Sequence, residues 1–276
     1  MKRPRGLILD IDGTVLRGDR TIPGAKETIT ELRRQGYPVV FVTNALENPD
    51  KQADRLTSVG VLATAEEIIT APQVLKAYLS EHMPSATINV ISDSPLPEEL
   101  SQDFRISDDP EEIDAVIVSC DQNFTYHKLN IGFQALRRGA RFLAVNVDAT
   151  CPLLDGEIPD AGAVIGALEG CSGRVPELVF GKPSSLIVKA SLERMKLSAT
   201  QCLVVGDSLG SDILMGQQAG ITTALVLTGV TRKEDLHHTE IQPDHVLESI
   251  TEVPNLLESK GFHDRYYESI GRIKAK

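Results

Sequence analysis

Two aspartates separated by one apolar residue, Asp10 and Asp12, punctuate the run LILDIDGTV. Alternation along an extended strand puts both on one face, about 7 Å apart. A third acid follows the apolar run CLVV, at Asp207 in the segment GDSLGSD. Two like charges about 4 Å apart cost about 4 kcal/mol at an effective dielectric of 20, so three carboxylates converge only around a cation. Oxygen-only ligands select a hard ion, and magnesium is the usual one where waters and a substrate phosphate complete the shell.

Two further segments fit a phosphate. The run VVFV ends in Thr43 and Asn44, and a later stretch reads GKPS from Gly181 to Ser184. Thr43 offers a hydroxyl, Asn44 a backbone N–H and Lys182 a point charge to phosphate oxygens. Each residue has a structural alternative: an aspartate that caps a helix, a threonine or asparagine that opens a turn, a lysine on the surface. Their joint occurrence after apolar runs is what selects chemistry, because open α/β sheets bind ligands beyond the carboxyl ends of their strands. Other phosphate motifs are missing. Pro176 stands where a Walker A loop needs its first glycine, and no G-x-G-x-x-G occurs.

The elements that must carry these residues recur as one phrase: an amphipathic stretch, a glycine, then a β-branched run. ITELRRQGYPVVFVTN, ALRRGARFLAVN and GQQAGITTALVL each read as a helix stopped at Gly36, Gly139 or Gly220 and followed by a buried strand. Core strands are expected at residues 6–10, 39–43, 202–205 and 222–227, and a second set at 87–91, 115–119 and 142–145. Strands alternating with helices imply parallel sheets covered on both faces. The fold class is therefore α/β: a doubly wound, Rossmann-like core of residues 1–82 and 176–276, with a smaller α/β domain of residues 83–175 inserted between EHMPSA and SGRVPE, the place of the cap in the family named below. Within the cap, Asn146 and Asp148 follow the strand FLAV, where a loop after a strand end could read a leaving group. The spaced glycines of GAVIGALEG suggest close helix packing. The tail GFHDRYYESIGRIKAK reads as a solvated extension.

Composition narrows the partners. The 276 residues are 41% hydrophobic and carry a formal charge of −11, which disfavours nucleic acid and anionic membrane. A basic start resembles a signal peptide, but Asp10 and Asp12 interrupt its apolar run, and no stretch is long enough to span a bilayer. Four cysteines without a C-x-x-C pair read as buried free thiols in a reducing cytoplasm.

With DIDGT, VTN, GKP and GDSLGSD in this order, the chain resembles the haloacid dehalogenase superfamily of phosphohydrolases. NVDATCPLLDGEIPDAGA looks like the cap segment of its NagD-like branch, and the likeness runs from about Gly6 to Leu257. The resemblance implies a phosphatase for a small phosphorylated metabolite, with Asp10 as nucleophile and Asp12 as general acid and base. It implies that Thr43, the Asn44 amide and Lys182 hold the phosphoryl group. Mg2+ would be bound by Asp10, the Asp12 carbonyl oxygen and Asp207, with Asp212 in support. Two departures stand out: ALENPD follows VTN where the branch has another asparagine, a hydroxyl residue and a nearby basic residue, and Ser208 replaces a frequent arginine. A phosphotransferase and a catalytically idle phosphate- and metal-binding module remain as alternatives. The identity of the metabolite and a homodimer, common in the branch, stay open.

Overall fold

The computed structural model describes residues 3–153 and 156–259, so the C-terminal tail lies outside the described residues. The chain packs as two compact units. The first draws on Met1–Thr43, Asp50–Ile69 and Val188–Lys276, the second on Asn44–Pro49 and Thr70–Ile187.

A six-stranded sheet forms the first unit, in the order His245–Leu247, Thr222–Val226, Cys202–Gly206, Gly6–Asp10, Val39–Thr43, Ile68–Thr70. From Gly6–Asp10 the chain builds outward through Val39–Thr43 and then returns to the other side, which is the doubly wound pattern. Both partners of Gly6–Asp10 run parallel to it, with Leu9 opposite Val205 and Asp10 opposite Val42. Every residue of these three strands is buried. The helix Ala25–Arg34 explains one covering layer: Ala25, Thr28, Ile29 and Leu32 recur at helical spacing and form its buried face. It stops where Gly36 turns at φ 85°.

A second parallel sheet organises the other unit, ordered Leu178–Val179, Arg141–Ala144, Ala115–Val118, Thr87–Ile91, Arg105–Ile106. Its two edge strands are two residues long, which limits the unpaired backbone presented at the rim. Phe142, Val116 and Val118 pack under the helices Tyr126–Arg137 and Ala161–Ser172. Thr125 caps the first of these by accepting from the Lys128 N–H at 3.3 Å. Of the GAVIGALEG glycines, Gly162 packs closely, since an added Cβ would lie 3.1 Å from the Ala149 Cα, whereas Gly166 and Gly170 face open space. An equally tight approach falls at Gly132, where an added Cβ would lie 3.1 Å from Leu168 and from Ile91.

The cysteines also differ from expectation. Cys202 alone is buried, Cys120 and Cys151 are half-buried, and Cys171 is exposed.

Removing the Phe142 ring from the core between this sheet and its helices leaves a cavity that rigid neighbours fill only in part. Phe142→Ala is expected to lower unfolding stability by about 3–5 kcal/mol, measured by urea denaturation. A loss below 1 kcal/mol would contradict the packing described.

Candidate active site

Three acidic side chains meet at the carboxyl end of the first unit's sheet. Asp10 is the last residue of Gly6–Asp10, and Asp207 follows Cys202–Gly206 directly. Asp212 sits in the short π-helical turn Leu209–Ile213. Each is at most 5% exposed. One carboxylate oxygen from each lies within 4.8 Å of the others, the arrangement among the described residues that could hold a metal.

Backbone geometry holds them there. The Val230 N–H donates to Asp207 Oδ2 at 2.6 Å, and the Ser208 N–H donates to Asp212 Oδ2 at 3.1 Å. Around them the walls are glycine. A Cβ on Gly13, whose φ is +92°, or on Gly229 would collide with the Asp207 carboxylate, and one on Gly206 would collide with Asp212. Thr228 ties two of these walls together, its hydroxyl donating to the Gly13 carbonyl oxygen at 2.6 Å. Each pair of like charges at this separation repels by about 3 kcal/mol at an effective dielectric of 20. A buried, all-oxygen, strongly anionic cradle of this kind fits a hard dication such as Mg2+.

Asp12 takes a different position. The strand ends at Asp10, so the alternation that would have aligned the two acids does not extend to Asp12, which bridges to Leu16 instead. Its side chain is 47% exposed and is gripped by Arg55, through Nη2 to Oδ1 at 2.7 Å and Nη1 to Oδ2 at 3.2 Å. Arg55 Nη2 also donates to the Gly18 carbonyl oxygen at 2.9 Å. The arginine stands on the helix Pro49–Ser58, beyond the ALENPD segment that lacks the branch's nearby basic residue. Sequence reading missed it because a lone arginine on an amphipathic helix has no local signal. Thr43 is buried at the end of its strand, one residue past the partner of Asp10.

The remaining expected site residues lie together in the second unit. Asn44 exchanges hydrogen bonds with the Lys182 backbone: the Lys182 N–H donates to Oδ1 at 2.8 Å, and Nδ2 donates to the Lys182 carbonyl oxygen at 3.3 Å. Asn44 Nδ2 also donates to Asp148 Oδ2 at 2.8 Å, as does Asn146 Nδ2 at 3.1 Å. Lys182 and Asn146 are buried. Nearby Asp160 caps the helix Ala161–Ser172, and its carboxyl is raised above the ordinary range by burial and by the like charge of Asp148. Burial also pushes the thiols of Cys120 and Cys202 up to about 11, which leaves them protonated and poor nucleophiles at neutral pH.

Comparison with known proteins agrees with this architecture. A haloacid dehalogenase-like hydrolase model matches residues 7–103, and a HAD-hydrolase-like model matches residues 179–253. The sugar-phosphatase AraL of Bacillus subtilis is 38% identical over 259 residues, covering 92% of this chain and 94% of the relative. NagD from E. coli K-12 superposes with a TM-score of 0.80 at 30% identity, over 91% of this chain and 98% of that one. A glycerol phosphate phosphatase from Mycobacterium tuberculosis, solved in complex with magnesium, matches with a TM-score of 0.80 at 30% identity, over 90% of this chain and 75% of that one. The chain belongs to the haloacid dehalogenase-like hydrolases. Within them it is a NagD-like phosphatase with a cap domain, acting on phosphorylated substrates.

The glycine walls yield a direct test. Gly229→Ala forces the Asp207 carboxylate to move, so Mg2+ affinity measured by calorimetry on metal-stripped protein should fall at least about tenfold, about 1.4 kcal/mol. Unchanged affinity would show that Asp207 takes no part in metal binding.

Proposed function

We propose that the protein is a magnesium-dependent phosphatase that hydrolyses the phosphomonoester of a small sugar- or polyol-type metabolite through an aspartyl-phosphate on Asp10. The observation that carries this reading is the buried convergence of Asp10, Asp207 and Asp212. The names of the similar proteins, a sugar-phosphatase and a glycerol phosphate phosphatase, support the substrate class. The formal charge of −11 speaks against nucleic acid as substrate. Four free cysteines suit a reducing cytoplasm. Residues 83–175 are our proposed extent for the cap.

Asp10, the Asp12 carbonyl oxygen and Asp207 would ligate Mg2+, supported by Asp212. When bound, the ion neutralises the carboxylates and the phosphate so that an anionic nucleophile can approach an anionic substrate. An Asp10 carboxylate oxygen attacks phosphorus in line, and the bond from phosphorus to the leaving oxygen breaks. The Asp12 carboxyl gives its proton to that oxygen as it departs. Water then loses a proton to the Asp12 carboxylate and attacks phosphorus, and the bond to Asp10 breaks to release phosphate and restore the enzyme. Thr43, the Asn44 amide and Lys182 bind the equatorial oxygens of the transferring group.

Asp10 and Asp12 divide the work by environment. A nucleophile that must remain ionised is buried in the acidic cradle that would hold a dication, whereas a group that exchanges protons with water needs access to it. Arg55 orients the Asp12 carboxylate without burying it.

Asp10→Asn should abolish phosphate release from p-nitrophenyl phosphate and from sugar phosphates, while thermal stability holds or rises because carboxylate repulsion is relieved. Activity within tenfold of the parent, a barrier change of only about 1.4 kcal/mol, would sink the assignment. EDTA should eliminate turnover and Mg2+ restore it, with Ca2+ a poor substitute because its larger shell misplaces the nucleophile. Turnover in metal-stripped protein would contradict the metal reading.

Arg55→Met tests the grip on Asp12. A misaligned acid matters most where the leaving oxygen is basic, so kcat on alkyl phosphates should drop about 10²-fold, within the usual range for general acid catalysis. Turnover of p-nitrophenyl phosphate should fall far less. Equal losses on both would assign Arg55 a structural role only.

A further inference from the structure

The loop after the strand Arg141–Ala144 invites a specificity role, yet its polar side chains are committed to one another and to the phosphate-binding segment. Ser119 donates through Oγ to Asn146 Oδ1 at 3.1 Å, and Asn146 donates through Nδ2 to Asp148 Oδ2 at 3.1 Å. Asn44 Nδ2 donates to that same Asp148 oxygen at 2.8 Å, and Asn44 Oδ1 accepts from the Lys182 N–H at 2.8 Å. An amide can face either way, and only its partners decide. Here an acceptor-only carboxylate faces both amide nitrogens, so Asp148 fixes the orientation of Asn44 and thereby keeps Oδ1 turned to the Lys182 backbone.

The chain is built close around this contact. The Gly181 N–H donates to the Val145 carbonyl oxygen at 2.6 Å, and a Cβ on Gly181 would collide with Asn44 Oδ1. Lys182 is 5% exposed, Asn146 4% and Ser119 fully buried, while Asn44 and Asp148 are half-buried, so water competes with only part of the network. A shift in the Asn44 amide therefore moves the backbone from which Lys182 projects.

We infer that Asp148 is a positioning residue for Lys182, acting through Asn44, and that it serves every substrate alike rather than reading the leaving group. The inference rests on the phosphate-binding reading of Lys182 proposed above. It has a specific consequence for chemistry. Phosphate is common to all substrates, so loss of the contact weakens the shared part of binding and leaves the substrate ranking intact.

The test compares Asp148→Ala, Asp148→Asn and Lys182→Ala with the parent protein. Each is measured for kcat/KM on p-nitrophenyl phosphate and a panel of sugar phosphates, and for inhibition by inorganic phosphate. Asp148→Ala should lower kcat/KM by about tenfold or more on every substrate, since small displacements of a binding group carry losses of this size. Its inhibition constant for phosphate should rise in parallel. Asp148→Asn should recover most of that loss, because both amides donate to a single oxygen that an asparagine can supply.

A changed substrate ranking with p-nitrophenyl phosphate spared would overturn the inference in favour of leaving-group recognition. Failure of Asp148→Asn to recover activity would also overturn it, since charge rather than acceptance would then be needed; this variant serves equally if Asp148→Ala does not fold. Unchanged phosphate inhibition in Asp148→Ala alone would reject the positioning role, whereas unchanged inhibition in Lys182→Ala would reject the underlying phosphate-binding reading.

Discussion

Repulsion among three buried carboxylates is the constraint around which the first unit is arranged. Asp10, Asp207 and Asp212 set like charge against like charge within 4.8 Å of one another, out of water at the ends of apolar strands. They are held by being fixed to rigid elements. Two terminate or follow fully buried parallel strands whose register is locked on both sides, and backbone N–H groups from Val230 and Ser208 fasten Asp207 and Asp212 individually. The glycines at 13, 206 and 229 then leave room for carboxylates where side chains would otherwise stand. A carboxylate cradle fixed in this way needs little rearrangement to receive a cation.

The second unit solves a different problem with different means. Its polar network joins a hydroxyl and two amides to the carboxylates of Asp148 and Asp160, and every bond in it points from donor to acceptor without conflict. A network that is satisfied throughout specifies one arrangement, whereas a single reversed amide would leave two acceptors facing each other. In this way Asn44, which precedes the helix Pro49–Ser58 outside any regular element, is held in one orientation.

Much of this was legible in the sequence because the signals were local. Short apolar runs located Gly6–Asp10, Val39–Thr43 and Thr87–Ile91 to the residue, the second of them signalled by the glycine at 36. Short edge strands such as Leu178–Val179 and Arg105–Ile106 escaped, since two residues make no period. Alternation failed at Asp12 because a pattern belonging to a strand was extended past its end. The steric gaps at Gly13 and Gly229, both against Asp207, and the grip of Arg55 on Asp12 depend on residues far apart in sequence, so no short window along the chain could contain them. The cysteines misled for a related reason: an apolar neighbour in sequence does not bury Cys171, which ends on the outer face of its helix.

The contrast between the two acids of DIDGT follows from where the strand stops. Asp10 inherits the burial and the fixed direction of a central parallel strand, which suits the nucleophilic role proposed for it. Asp12 comes after the chain has turned away, and it gains its orientation from a guanidinium fork rather than from the sheet. A fork matches a carboxylate in plane and direction while leaving one face open to water. Orientation and solvent access, which burial would set against each other, are therefore obtained together, and a chain that has lost the basic residue close behind VTN keeps its second carboxylate aligned from the following helix.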